Sequence, residues 1–93
     1  MVGLVEMQFR LEGVHSLKDK RSVVQPVLHK LRNTFNCAAI ESDLLDSHQM
    51  MVITAVTLNS SGAQLDMTIN KMVETAQRLA PYEMTISRRE VWE

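Results

Sequence analysis

The feature that most constrains the fold is a strict alternation of apolar and polar side chains near the start of the chain. Over residues 5–12, apolar side chains occupy every odd position, and glutamate, glutamine or arginine occupies every even one. This period of two is typical of a β-strand with one buried face. We therefore predict a first strand over residues 2–12, closed by Gly13.

The next segment has the period of an amphipathic helix. Ser16 is a good N-cap, and Asp19 stands where a carboxylate favours the positive helix end, so a helix is predicted over residues 17–34. Pro26 falls on the side that faces water, where the carbonyl that it leaves unpaired can be hydrated. The apolar stripe of this helix is formed by Leu17, Val24, Val27, Leu28, Leu31 and Phe35.

A second helix is predicted between Ser61 and Pro81. Ser61 and Gln64 have the spacing of a capping box, and Pro81 stops the helix. Lys71, Glu74 and Arg78 lie on its outer face. Its apolar stripe is formed by Leu65, Ile69, Met72, Val73, Ala76 and Ala80.

Three more strands are predicted, over residues 37–42, 49–59 and 82–92, with a polar turn at residues 43–47. Residues 49–59 are rich in β-branched side chains and apolar on both parities, which is typical of a central strand covered on both faces. The element order is then β-α-β-β-α-β. Right-handed crossovers place both helices on one face of a four-stranded antiparallel sheet in the order 4-1-3-2. We predict a single ferredoxin-like α+β sandwich over residues 1–93.

Composition limits the possible partners and the compartment. The net charge is −1, so a nucleic acid or an anionic membrane would have to be bound by a local patch. The longest apolar run, residues 50–58, is far shorter than the ~20 residues of a transmembrane helix. No signal peptide is predicted at the N-terminus. Cys37 is the single cysteine, so it has no partner for an internal disulfide. These features predict a cytoplasmic protein that does not enter a membrane.

Three short motifs resemble the YlxP-like family of small uncharacterised bacterial proteins. They are SLKDKR at residues 16–21, LRN at 31–33 and FN at 35–36, and the closing EVWE at 90–93 is also similar. The resemblance implies a ferredoxin-like fold and no established activity. It also implies genes that often neighbour those for transcription termination, translation initiation and ribosome maturation.

The SLKDKR segment is the candidate binding site. Lys18, Lys20 and Arg21 fall in the first turns of the first helix, where free backbone N–H groups and the helix dipole favour an anion. One interpretation is a phosphate contact from RNA or a nucleotide. The alternative is that these side chains cover the core and pair with Glu41 or Asp43.

The standard RNA-binding modes of this fold are not predicted. They need exposed aromatic side chains on the central strands, whereas Phe9 is expected to be buried and residues 49–58 contain no aromatic residue. Binding to a ribosomal particle through charge or through another protein remains an alternative. No metal, cofactor or catalytic residue is predicted, because His15, His29, His48 and Cys37 show no spacing that defines a zinc site.

The expected function is that of a non-enzymatic binding or interaction domain, accessory to ribosome or RNA metabolism. The outer face of the sheet is polar on the first strand and partly apolar on the third, which is typical of moderate self-association and predicts a homodimer. A monomer is the alternative, and the pattern leaves open whether Ile53 or Val52 points outward. Two other functions stay open, namely a sensor of a small anionic metabolite, bound at the loop before the first helix or at a dimer interface, and an uncharacterised enzyme.

Overall fold

The computed structural model describes all 93 residues and confirms the ferredoxin-like α+β architecture. Six elements follow one another along the chain. They are β1 (Val2–Arg10), α1 (Leu17–Thr34), β2 (Cys37–Asp43), β3 (Met50–Leu58), α2 (Gly62–Leu79) and β4 (Glu83–Trp92). All strand pairs are antiparallel, and the sheet order β2-β3-β1-β4 is the predicted order read from the opposite edge.

Both helices begin at the predicted serine caps. The Asp19 N–H donates to Ser16 Oγ at 3.0 Å, and the Gln64 N–H donates to Ser61 Oγ at 3.3 Å. The reciprocal half of the second capping box is made differently, because the Ser61 N–H donates to Asn59 Oδ1 at 2.9 Å. Each cap therefore satisfies backbone donors that a helix start leaves unpaired.

The core lies between the helices and the odd positions of β1. Val5, Met7 and Phe9 are completely buried, as the alternation predicts. Gly3 continues this row at the point where α2 crosses the strand, and a Cβ atom there would lie only 2.7 Å from Cδ1 of Ile69. The absence of a side chain at Gly3 therefore lets α2 approach the sheet closely.

Two details differ from the sequence expectation. Leu17 is 42% exposed, since it is the first residue of α1 and the buried side of the helix begins only at Lys20 and Val24. The helices cover only one face of β3, so the chain itself leaves the other face of this strand uncovered. Ile53 is fully buried on the helix side, while Val52 belongs to the opposite face, which settles the parity that the pattern left open.

Replacement of Gly3 by alanine is expected to destabilise the fold by roughly 1–3 kcal/mol, because the added methyl group overlaps the ends of Ile69 and Leu65. Gly62→Ala is the matched control, since a Cβ atom at Gly62 meets only the flexible side chain of Met1. Urea unfolding of both variants measures the difference. Equal stabilities would show that α2 does not depend on the close approach at Gly3.

Candidate functional site

Lys20 is the one buried charge of the basic segment. Its side chain lies under the start of α1, and the residue is only 2% exposed. The ammonium donates to the Leu44 carbonyl at 2.9 Å and to the Ser47 carbonyl at 2.6 Å, and its Nζ lies 2.6 Å from Glu41 Oε2. An ammonium has three N–H groups and no acceptor, so two of them bind the carbonyls while Glu41 Oε2 lies beside the ammonium as its counter-charge.

The ammonium holds the β2–β3 turn against α1. Glu41 Oε2 is buried and receives no directed hydrogen bond, so its stabilisation comes from the charge of Lys20. Leu44 has a φ of +53°, a left-handed conformation that bulky residues rarely adopt. Because its carbonyl is held by Lys20, the same interaction stabilises this unfavourable backbone.

The other two basic residues are on the surface. Lys18 and Arg21 are exposed, and neither takes part in an ion pair. An anion contact by Lys20 would require the exchange of a partner inside the chain. The anion-binding hypothesis is therefore carried by Lys18 and Arg21, and it stays a prediction.

Arg21 lines a small depression between the start of α1 and the β2–β3 turn. Its volume is about 120 Å³. The lining combines the buried Lys20–Glu41 pair with apolar side chains, and it consists of Leu17, Lys20, Arg21, Val24, Gln25, Glu41 and Leu45. The sequence pattern predicts Lys20 and Arg21 in the first turns of the helix, but it does not identify Leu45 as their neighbour.

A second, wider cleft of about 300 Å³ lies beside the loop between β1 and α1. Arg10, Glu12 and His15 line one side and His48 lines the other. His48 Nδ1 lies 3.0 Å from the Val14 carbonyl, which can only accept, so Nδ1 carries the proton. This cleft is where the anionic-metabolite alternative would place its ligand, and that alternative stays a prediction.

The remaining titratable groups form no cluster of three or more residues with metal-binding geometry. The Cys37 thiol donates to the Leu31 carbonyl at 3.4 Å. Burial raises the pKa of this thiol, and the nearby charge of Arg32 only partly opposes the rise. Cys37 is therefore mostly protonated near neutral pH and is a weak nucleophile.

One face of the sheet is covered by no helix, and we call it the open face. On β2 and β3 it is largely apolar. Its members there are Ala38, Ile40, Ser42, Met50, Val52, Thr54, Val56 and Leu58, and a bulge in β2 brings Asp43 opposite Val52 at the margin. On β1 and β4 it is apolar only at one end, at Val2, Leu4 and Trp92, and polar elsewhere.

The two hydroxyl groups inside the apolar part of the open face bind each other. Ser42 Oγ and Thr54 Oγ1 are 2.6 Å apart, so these two hydroxyl groups already share a hydrogen bond. Val52 is only 2% exposed, whereas Ile40 and Leu58 are 56% and 69% exposed. The face is thus closely packed at its centre and presents accessible aliphatic side chains around it.

Charged side chains occupy both edges of the sheet. At the β2 edge, Nε and Nη2 of Arg32 both donate to the Ala39 carbonyl, at 3.0 and 2.7 Å. At the β4 edge, Arg88 pairs with Glu90 at 2.6 Å, and Arg89 reaches Asp66 on α2. Charged groups at a sheet edge oppose the addition of another strand. The role of Arg32 could not be predicted from the sequence, because its acceptor is a backbone atom.

Replacement of Lys20 by methionine is expected to lower the free energy of unfolding by about 3 kcal/mol, because Glu41 would remain buried without its counter-charge. The double variant Lys20→Met, Glu41→Leu should recover much of this loss, since the unpaired carboxylate is then absent. Urea unfolding of the parent, both single variants and the double variant gives the coupling energy. Additive effects would contradict the ion pair.

No helix of the structure combines the length and the apolar character needed to cross a bilayer.

Comparisons with known proteins agree with the resemblance seen in the sequence. The chain is similar to a protein of Bacillus subtilis (strain 168) described as "Uncharacterized protein YlxP", with 27% identity over 90 residues that cover 97% of this chain and 98% of the relative. The family described as "Protein of unknown function (DUF503)" matches residues 2–89. The chain therefore belongs to the DUF503 family.

Proposed function

We propose that this domain is a non-enzymatic interaction domain that binds a second copy of itself through the open face. The observation that carries the proposal is the largely apolar surface of β2 and β3. Along this surface Ala38 of β2 pairs with Val56 of β3, and Leu58 of β3 pairs with Val2 of β1. Exposed aliphatic surface of this extent on a sheet is typical of an interaction site.

The chemistry of the open face favours a second copy over a charged partner. The apolar part carries a single charged side chain, Asp43, at its margin beside the turn, and its Ser42 and Thr54 hydroxyl groups share a hydrogen bond. A two-fold axis that runs along the strands, between β2 and β3, would place β2 of each copy over β3 of the other. The charged side chains of β1 and β4, including Glu6 and Arg88, would then stay in water.

Association by strand addition is less favourable than association through the face. A new strand at the β2 edge would have to displace the Arg32 guanidinium from the Ala39 carbonyl. At the β4 edge it would meet Arg88, Arg89 and Glu90. The edges therefore direct self-association to the open face.

The size of the overlap predicts a weak affinity. Two strands, of seven and nine residues, cover about 30 Å by about 10 Å, or roughly 600 Å² for two copies. Stable interfaces bury about 1,200–2,000 Å² in total, so this one is smaller than a standard interface. We expect a dimer that forms only at high micromolar concentration.

Gel filtration with light scattering should give about twice the chain mass of 10.6 kDa at high micromolar concentration. Leu58→Glu and Ile40→Glu should each produce a monomer, because a charge would be buried without a partner. Met67→Glu is the matched control, since Met67 is as exposed as Ile40 but lies on α2, in the other layer. A monomeric parent, or a control that dissociates equally, would refute the dimer.

The second candidate function is an accessory role in ribosome or RNA metabolism in the cytoplasm. It is supported by the family resemblance and by the two unpaired cations Lys18 and Arg21 at the positive end of α1. Two cations make a small electrostatic footprint, so we expect weak and strongly salt-dependent binding to a ribosomal particle.

The double variant Lys18→Ala, Arg21→Ala tests this second function without disturbing the buried Lys20. Each lost phosphate contact should lower the salt slope of ribosome binding by roughly 0.7–0.9. Lys71→Ala, Arg78→Ala removes the same charge from the outer face of α2 and serves as the control. Co-sedimentation with ribosomal particles at several salt concentrations gives the slopes. Indistinguishable slopes for the parent and the Lys18/Arg21 variant would exclude this segment as the contact.

A further inference from the structure

Three exposed leucines surround the start of α1. Leu17, Leu44 and Leu45 are 42%, 40% and 57% exposed, and Leu17 and Leu45 line the depression of about 120 Å³ beside Arg21. We call these three residues the leucine tip. Leucine is disfavoured in water, and two consecutive exposed leucines in a polar turn have no role in the core of the domain.

The chain holds the leucine tip in place at an energetic cost. Leu44 takes a left-handed backbone conformation, and the buried Lys20–Glu41 pair gives up solvation on both charges. Lys20 links the two features, because its ammonium binds the Leu44 carbonyl. Backbone strain that the surrounding structure enforces is typical of functional sites rather than of ordinary turns.

The size and charge of the depression indicate what it could bind. A cavity of about 150 Å³ accommodates benzene, so 120 Å³ is enough for one aliphatic side chain. Lys20 and Glu41 neutralise each other, which leaves Arg21 as the uncompensated charge of the lining. Arg21 also lies near the positive end of the α1 dipole, so a carboxylate beside the inserted side chain is favoured.

We infer that the leucine tip and Arg21 dock a partner protein through a leucine-type side chain flanked by acidic residues. The lining contains three apolar residues, Leu17, Val24 and Leu45. They favour a side chain over a nucleic-acid phosphate, which would leave them without a contact. The depression lies between α1 and β2, on the helix side of the sheet, so a second copy on the open face does not cover it. This inference is therefore independent of self-association.

Three peptides of matched length test the inference by titration of the ¹⁵N-labelled chain. They are acetyl-Glu-Leu-Glu-amide, its neutral counterpart acetyl-Gln-Leu-Gln-amide, and acetyl-Glu-Ser-Glu-amide, which lacks the apolar side chain. We expect the first to bind about fivefold more tightly than either of the others, the difference typical of one exposed ion pair or one apolar contact. The amides of Leu17, Arg21 and Leu45 should show the largest shifts.

Two variants assign the preference to the residues. Arg21→Gln should make the acidic and the neutral leucine peptides bind equally, and Arg78→Gln on α2 is the matched control that should keep the difference. Leu45→Ser should weaken the binding of both leucine-containing peptides. Leu79→Ser changes a leucine that is 41% exposed on α2 and should leave their binding unchanged.

The inference is overturned by any of several results. These are no binding of the first peptide, equal affinity for all three peptides, shifts centred away from the leucine tip, or an unchanged preference in Arg21→Gln. An octauridylate that shifts the same amides at lower concentration than the peptide would also overturn it, and would assign the site to RNA. Failure here leaves the dimer untouched, because that proposal is measured by mass and by variants of the open face.

Discussion

The ammonium of Lys20 connects the two parts of the structure that the backbone alone would leave independent. One part is α1, which carries this side chain, and the other is the β2–β3 turn, which supplies the carbonyls of Leu44 and Ser47. Between them the carboxylate of Glu41 balances the charge. A buried ion pair contributes little net stability, but it tolerates few alternative geometries. Its consequence is therefore positional, because it fixes where the turn, and with it the leucine tip, stands relative to the helix.

In the sheet, one face is covered by the helices and the other is left open. On β1 the outward side chains Glu6, Gln8 and Arg10 are polar, so this part of the open face is stable in water. On β3 the outward Val56 and Leu58 are apolar, and water is a poor solvent for them. Because β3 has apolar side chains at both even and odd positions, the helices cover one set and leave the other uncovered.

The order of the elements and the strand order could be predicted from the sequence, because periodicity reports directly on burial. The caps at Ser16 and Ser61 were equally visible. What the pattern could not show is the set of contacts that end on backbone atoms, such as Lys20 to Leu44 and Arg32 to Ala39. Every residue has a backbone carbonyl, so the residue types do not show which carbonyl accepts a side-chain hydrogen bond. The pairing of Lys20 with Glu41 was one of two interpretations left open, since helix position alone cannot tell a cation that turns inward from one that faces water.

The same reasoning explains why neighbouring cations of one motif end in different environments. A residue on the first turns of α1 points either towards β2 or away from it, and a step of one residue rotates the side chain by about 100°. Lys20 therefore meets Glu41 while Arg21, one position later, reaches the rim of the depression. The basic character of the segment is shared, but only Arg21 and Lys18 keep their charge available to a partner. Of the three cations in this motif, Lys20 thus holds the β2–β3 turn in place, while Lys18 and Arg21 stay exposed on the surface.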